Sequence, residues 1–202
     1  MTRAFIAIRP PEEIVHKIQS SINTFKKEFP TINWEDSEKL HITLVFLGFV
    51  SKEKLSSVTR ILKEISTNNA PFSLSLGESM YLYKRHGDSM IVLEVHDVEE
   101  KLKNLQSQLR NELKRIEFSL SKRFSPHVTI GRLKRMRYPH EVKQLLSNIR
   151  KVETQPIGEF KVNAVNIYET TYSKHMNTSH YRLIQSFSLH LESDGVDNRN
   201  PR

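Results

Sequence analysis

The sequence contains no cysteine. Disulfides, thiolate metal sites and cysteine nucleophiles are excluded in one step. The same absence points to a cytoplasmic protein, where a disulfide framework would gain nothing. No apolar run approaches the roughly 20 residues that a membrane span needs, so no membrane association is expected. The opening segment is apolar only from Ala4 to Ile8, before Pro10 and Pro11 intervene. That reads as a short strand rather than a signal peptide. A His-Glu-x-x-His motif, or a comparable cluster of ligands, is also missing, so neither a metal nor a cofactor is expected.

What is present reads as globular. The 202 residues are 37% hydrophobic and 27% charged, ample for one sizeable core. Lysine and arginine outnumber aspartate and glutamate by 31 to 23, a formal charge of +8. Such an excess aids solubility, and it also attracts a polyanion. The basic residues crowd together at Lys122, Arg123, Arg132, Lys134, Arg135 and Arg137.

Strands and helices alternate along the chain. Arg3 to Ile8 is a strand, and a helix from Pro11 to about Phe29 carries Ile14, Ile18, Ile22 and Phe25 at helical spacing. Thr31 to Glu35 is short and extended. His41 to Phe46 is the next strand, ended by Gly48, and Ser51 caps a helix with Leu55, Val58, Ile61, Leu62 and Ile65 on one face. Phe72 to Leu76 is a half-exposed strand, and the turn Arg85-His86-Gly87-Asp88 makes a hairpin of Met80–Tyr83 and Met90–Val95. Asp97 caps a third helix built on Leu102, Leu105, Leu109 and Leu113. Val128 to Leu133 is a strand, Pro139 to about Ile149 a fourth helix, and Phe160–Tyr168 and Tyr181–Leu191 the last strands. Residues 1–192 are expected to form one domain of two lobes, and the polar tail 193–202 to be disordered. This order argues for an α+β fold with mainly antiparallel sheet.

Two segments share a pattern: His41-Ile42-Thr43-Leu44 and His127-Val128-Thr129-Ile130. In a strand, alternate side chains share a face. Each motif therefore presents an imidazole beside a hydroxyl, with the two apolar residues anchored in the core. A lone strand histidine is more often structural than catalytic. Chance, however, gives only about 0.2 copies of His-x-Thr-apolar in a chain of this composition. Two facing motifs supply a base and an acid of ordinary pKa near 6.5, plus two hydroxyl donors for phosphate oxygens. That set suffices for metal-free cleavage of a phosphodiester. The repeated strand–helix arrangement around His41 and His127 also suggests an internal duplication.

On these motifs the chain resembles the two-histidine (2H) phosphoesterase superfamily, and in particular its RNA 2′,3′-cyclic phosphodiesterase branch (LigT/ThpR type, the "2′-5′ RNA ligase" family). Arg3–Ile8, Trp34 with Lys39–Gly48, Phe124–Arg132, Val165–Glu169 and Tyr181–Leu183 all resemble stretches of that branch. The resemblance implies a two-lobed, pseudo-twofold-symmetric fold with the active site in a central cleft. It implies hydrolysis of RNA-terminal 2′,3′-cyclic phosphate to a 2′-phosphomonoester, with His41 protonating the leaving 3′-oxygen and His127 activating water. RNA with such an end, tRNA fragments among the candidates, would be the partner of a monomeric enzyme.

Thr43 and Thr129 would bind substrate, together with Arg132 or Arg123. Strict alternation puts Arg132 on the Val128/Ile130 face, away from His127, whereas a bulge at Gly131 would turn it inward. Parity also sends Phe46 to the core, ahead of a role in stacking on a base, and Trp34 reads as structural. Other outcomes for the same cleft are a cyclic mononucleotide, an ADP-ribose cyclic phosphate or a 2′-5′ oligonucleotide as substrate, and 2′-5′ RNA ligation. A non-catalytic RNA-binding protein is the alternative of a different class.

Overall fold

Apolar residues at the expected spacings build the elements, and the sheet then departs from the expected strands in ways that shape the site. The computed structural model describes residues 1–85, 88–121, 123–133, 144–145, 147–149, 157–173 and 178–191. Strand β1 (Thr2–Ile8) leads to helix α1 (Glu12–Glu28), which buries Ile14, Ile18, Ile22 and Phe25. Glu12 and Glu13 in its first turn and Lys26 and Lys27 in its last complement the helix dipole. The two-residue strand β2 (Asn33–Trp34) and a single 3₁₀ turn (Ser37–Lys39) precede β3 (Ile42–Val50). Ser51 caps α2 (Lys52–Thr67), its side chain accepting from Lys54 N at 3.2 Å. A hairpin of β4 (Phe72–Arg85) and β5 (Asp88–His96) follows. In α3 (Lys101–Arg115), Leu102, Leu105, Leu109 and Leu113 are all fully buried. The expected cap, Asp97, lies outside the helix, yet its carboxylate accepts from Lys103 N at 2.9 Å. Strands β6 (His127–Leu133), β7 (Gly158–Val162), β8 (Ala164–Ser173) and β9 (Thr178–Ser188) complete the described elements.

Among the described residues, the strands form one nine-stranded sheet in which every pairing is antiparallel. Its order is β7-β4-β5-β6-β3-β1-β8-β9, with β2 paired to β6 off this path. From the middle outward the order is symmetric: β6 answers β3, β5 answers β1, β4 answers β8 and β7 answers β9. The chain repeats accordingly, as β1–α1–β3 and β5–α3–β6. The halves meet at one residue pair, Ile42 opposite Val128. Both residues are fully buried, in a core cluster that also takes in the apolar faces of the three helices.

Four expectations change. Gly48 does not end β3, which continues to Val50. It has φ +73° and stands beside a bulge, since Ala4 pairs with Gly48 but Phe5 with Phe46, leaving Leu47 extra. Phe72–Leu76 and Met80–Tyr83 are one strand with an irregularity between them. Phe160–Tyr168 divides at Asn163 into β7, at one end of the sheet order, and β8, next to the other end, so the sheet must curl. The last strand stops at Ser188, after which Leu189 N donates to Asn163 O and His190 N to Ser66 O. Of the expected fourth helix, residues 144–145 and 147–149 are helical and the remainder lies outside the described residues, as do His86, Gly87 and the tail 193–202.

Candidate active site

The seam between the halves positions the two motifs. Ile42 and Val128 face each other and point into the core. Continuing that antiparallel register by one residue places His41 across from Thr129 and Thr43 across from His127. All four lie on the face away from the core. His41 itself stands one residue before β3, whereas His127 opens β6.

The imidazoles are held alike. Nδ1 of His41 lies 2.6 Å from Lys39 O, and Nδ1 of His127 lies 2.8 Å from Ser125 O. A carbonyl can only accept, so each neutral ring carries its hydrogen on Nδ1 and leaves Nε2 bare. Thr43 and Thr129 are half-buried, and neither hydroxyl has a partner among the described residues.

A bulge follows each motif at the same place. In β3, Ile6 pairs with Val45 but Ala7 with Thr43, so Leu44 is extra. In β6, Ile91 pairs with Gly131 but Val92 with Thr129, so Ile130 is extra. Each bulge reverses the parity of the residues beyond it. Leu44 and Val45 are both buried, and so are Ile130 and Gly131. The residue five after each histidine consequently turns to the open face: Phe46 in one half, Arg132 in the other.

Phe46 is 53% exposed, which corrects the expectation that it packs in the core. Its ring lies 6.2 Å from that of Phe5. Arg132 is turned inward, the bulged alternative. Its Nε donates to Glu35 Oε1 at 2.5 Å, and its Nη1 lies 3.4 Å from Met90 Sδ. Met90, opposite Arg132, occupies the place that Phe5, opposite Phe46, occupies in the other half.

An aromatic wall surrounds His41. Phe5 lies 5.0 Å from its ring at a tilt, and Tyr181 meets it edge-on at 5.3 Å. Tyr168 stacks on Phe5 at 5.4 Å. With Glu38 and Leu40 these residues line a shallow pocket. Burial dominates the electrostatics there: it lowers the His41 pKa from 6.5 to about 4. The hydrogen bond to Lys39 opposes the shift, while the positive charges of His127, Arg132 and Arg9 add to it. Burial raises the phenol of Tyr181, which also feels Arg132 and Glu35.

Arg123 is exposed in the loop before β6, where its backbone N–H donates to the Ser121 hydroxyl, and no contact among the described residues ties it to the cluster. Lys122, Lys134, Arg135 and Arg137 lie outside the described residues. Trp34 is structural. It stacks on Phe25 at 5.3 Å and donates its Nε1–H to Phe29 O at 3.1 Å. Among the described residues no three His, Asp or Glu side chains gather as a metal site, and no helix is long and apolar enough to cross a membrane. Sequence reasoning missed Glu35, Phe5, Tyr168 and Tyr181. Phe5 and Tyr181 could have been suspected from the alternation of their strands, but Glu35 had no local signal.

A curled antiparallel α+β sheet, folded about a pseudo-twofold with an imidazole and a hydroxyl from each half on its open face, is the architecture of the 2H phosphoesterases. Solved structures agree on the fold. TT0787 of Thermus thermophilus superimposes with a TM-score of 0.74 at 19% identity, covering 95% of this chain and 100% of that one. LigT of E. coli, crystallised with 3′-AMP, gives 0.73 at 23% identity over 93% and 98%. Residues 10–172 match the 2′-5′ RNA ligase superfamily, and the chain belongs to it. An RNA 2′,3′-cyclic phosphodiesterase of Thermotoga maritima is 32% identical over 169 residues, 84% of this chain and 87% of the relative. One from Archaeoglobus fulgidus is 28% identical over 79% of this chain and 86% of its own length.

Proposed function

We propose that this protein hydrolyses the 2′,3′-cyclic phosphate at an RNA end to a 2′-phosphomonoester, by acid–base catalysis between His41 and His127 and without a metal. The observation that carries this reading is the symmetric array on the open face: two imidazoles, each tied through Nδ1 to a carbonyl, with two hydroxyls that have no partner among the described residues. The names of the curated relatives supply the substrate class. Water attacks phosphorus as His127 Nε2 takes its proton. The P–O3′ bond breaks, and His41 gives its proton to the departing 3′-oxygen. Thr43 and Thr129 donate to the non-bridging oxygens as charge accumulates on them. Arg132, turned to the same face, adds a fixed positive charge.

The acid role of His41 needs the substrate. Burial keeps the ring neutral at pH 7 in the free protein. A phosphodiester anion lodged between the imidazoles supplies the opposite charge, raising the His41 pKa so that the ring holds a proton to donate. The exposed Phe46 offers a surface on which a base can stack.

Histidine variants test the mechanism. His41→Ala and His127→Ala should each lose on the order of 10²–10⁴-fold in rate, since each removes one proton-transfer partner. The double variant should be little worse than the weaker single one, because the pair works as a unit. A folded, fully active His127→Ala protein would refute the paired mechanism.

A further inference from the structure

Arg132 is aimed by a residue for which the paired-histidine chemistry has no use. Glu35 is only 6% exposed and directly follows β2. The described pairings of β2 are with β6 alone: Asn33 with Arg132 and Trp34 with Gly131. Glu35 N extends this contact by donating to Ile130 O at 2.9 Å. The approach is close because residue 131 is glycine. A Cβ there would come within 3.0 Å of the Trp34 ring and 3.2 Å of Ile32. A two-residue strand thus carries a carboxylate to the bulge that turns Arg132 inward, to the face of the histidines.

The carboxylate pairs closely with that arginine and more distantly with Lys39. Its Oε1 accepts from Arg132 Nε at 2.5 Å, while Lys39 Nζ stands 4.0 Å from Oε2. Arg132 is bound through Nε, and its Nη1 rests against Met90 Sδ. Nη2 makes no hydrogen bond among the described residues, and the arginine side chain is 43% exposed. Among the described residues the guanidinium is therefore held at Nε and Nη1, and Nη2 is the nitrogen left to a ligand. An ion pair with one buried and one half-exposed partner adds little stability, so orientation is the better reason for one here. Arg132 lies on the His41 side of the array, because it follows Thr129, which stands across from His41, and its charge is among those felt by the His41 ring.

We propose that Glu35 is a positioning residue: through the Nε–H of Arg132 it holds the guanidinium so that Nη2 meets a substrate phosphate oxygen beside His41. The role of that phosphate rests on the function proposed above.

The test compares wild type, Glu35→Gln, Arg132→Ala, Arg132→Lys and the Glu35→Gln/Arg132→Ala double variant. Turnover is measured on adenosine 2′,3′-cyclic phosphate, affinity on inorganic phosphate by calorimetry, and folding by thermal melting. Glu35→Gln should lower kcat/KM by about 10- to 100-fold, the scale on which a misplaced group is felt. In the Arg132→Ala background the same change should cost less than about twofold, because Glu35 acts only through Arg132. Arg132→Lys should be nearly as impaired as Arg132→Ala, since a single ammonium nitrogen cannot be held by Glu35 while a second nitrogen is offered to phosphate. Equal losses from Glu35→Gln in both backgrounds, or near-normal Arg132→Lys, would overturn the proposal. If Glu35→Gln fails to fold, the lysine comparison decides. A wild-type protein that turns over no cyclic phosphate refutes the function instead. The positioning role then stands or falls on whether phosphate affinity follows the same pattern.

Discussion

In the free protein the His41 imidazole should titrate near pH 4, and phosphate should raise that midpoint toward neutral pH. The ring lies between Phe5 and Tyr181, and burial is the largest cause of the fall from 6.5 to about 4. That displacement corresponds to about 3 kcal/mol in favour of the neutral ring. An anion roughly 4 Å away at an effective dielectric of about 20 attracts the imidazolium by about 4 kcal/mol, enough to offset the burial. NMR titration of the ring Cε1–H, assigned with a His41→Asn variant, reads both values directly. Saturating inorganic phosphate should move the midpoint from about 4 to 6 or above.

The same group links pH to stability. Because the folded pKa is depressed, the unfolded chain takes up the His41 proton first as pH falls. Stability should therefore decline from about pH 6.5 down to about pH 4, by at most about 3 kcal/mol, less what solvent screens at the open ring edge. Urea denaturation of His41→Asn should show a flatter slope across that window. A midpoint near 6.5 in the free protein, or one that phosphate leaves in place, would refute the burial argument.

Thr43→Ala and Thr129→Ala each remove one hydrogen bond to a charged oxygen, worth roughly 1.5–3 kcal/mol, so steady-state kinetics should show kcat/KM reduced by about 10- to 150-fold. Gly131→Ala forces a Cβ against Trp34 and Ile32 and should destabilise the fold by about 1–3 kcal/mol in urea titrations while displacing Arg132. Near-normal activity in that variant would show that the bulge does not govern the arginine. Phe46→Ala leaves a 53% exposed position and should melt within a few degrees of wild type. By calorimetry it should nevertheless weaken nucleotide binding by roughly 1–3 kcal/mol if a base stacks there.

The helices were legible in the sequence because period-3.6 apolar positions such as Leu102, Leu105, Leu109 and Leu113 map directly onto one buried face. The shared face of His41 and Thr43, and of His127 and Thr129, was legible because alternation holds over three residues. Alternation failed past the bulges. Leu44-Val45 reads as ordinary strand, so the sequence put Phe46 in the core. Gly131 at least flagged the second bulge and kept both orientations of Arg132 open. Asn163 gave no sign that one apolar run would divide between distant strands. Glu35 follows Trp34 in an unremarkable extended stretch, and its partner is 97 residues away, a pairing only the assembled sheet creates.

The most direct measurement is product analysis after incubating the purified protein, in excess EDTA, with an oligoribonucleotide ending in a 2′,3′-cyclic phosphate. Phosphatase treatment and separation of the products distinguish a 2′- from a 3′-phosphomonoester. The expected result is undiminished conversion to the 2′-phosphate by wild type and loss of conversion in His41→Ala and His127→Ala, both folded. Activity abolished by EDTA and restored by a divalent ion, or conversion unchanged in either histidine variant, would contradict metal-free catalysis by the histidine pair.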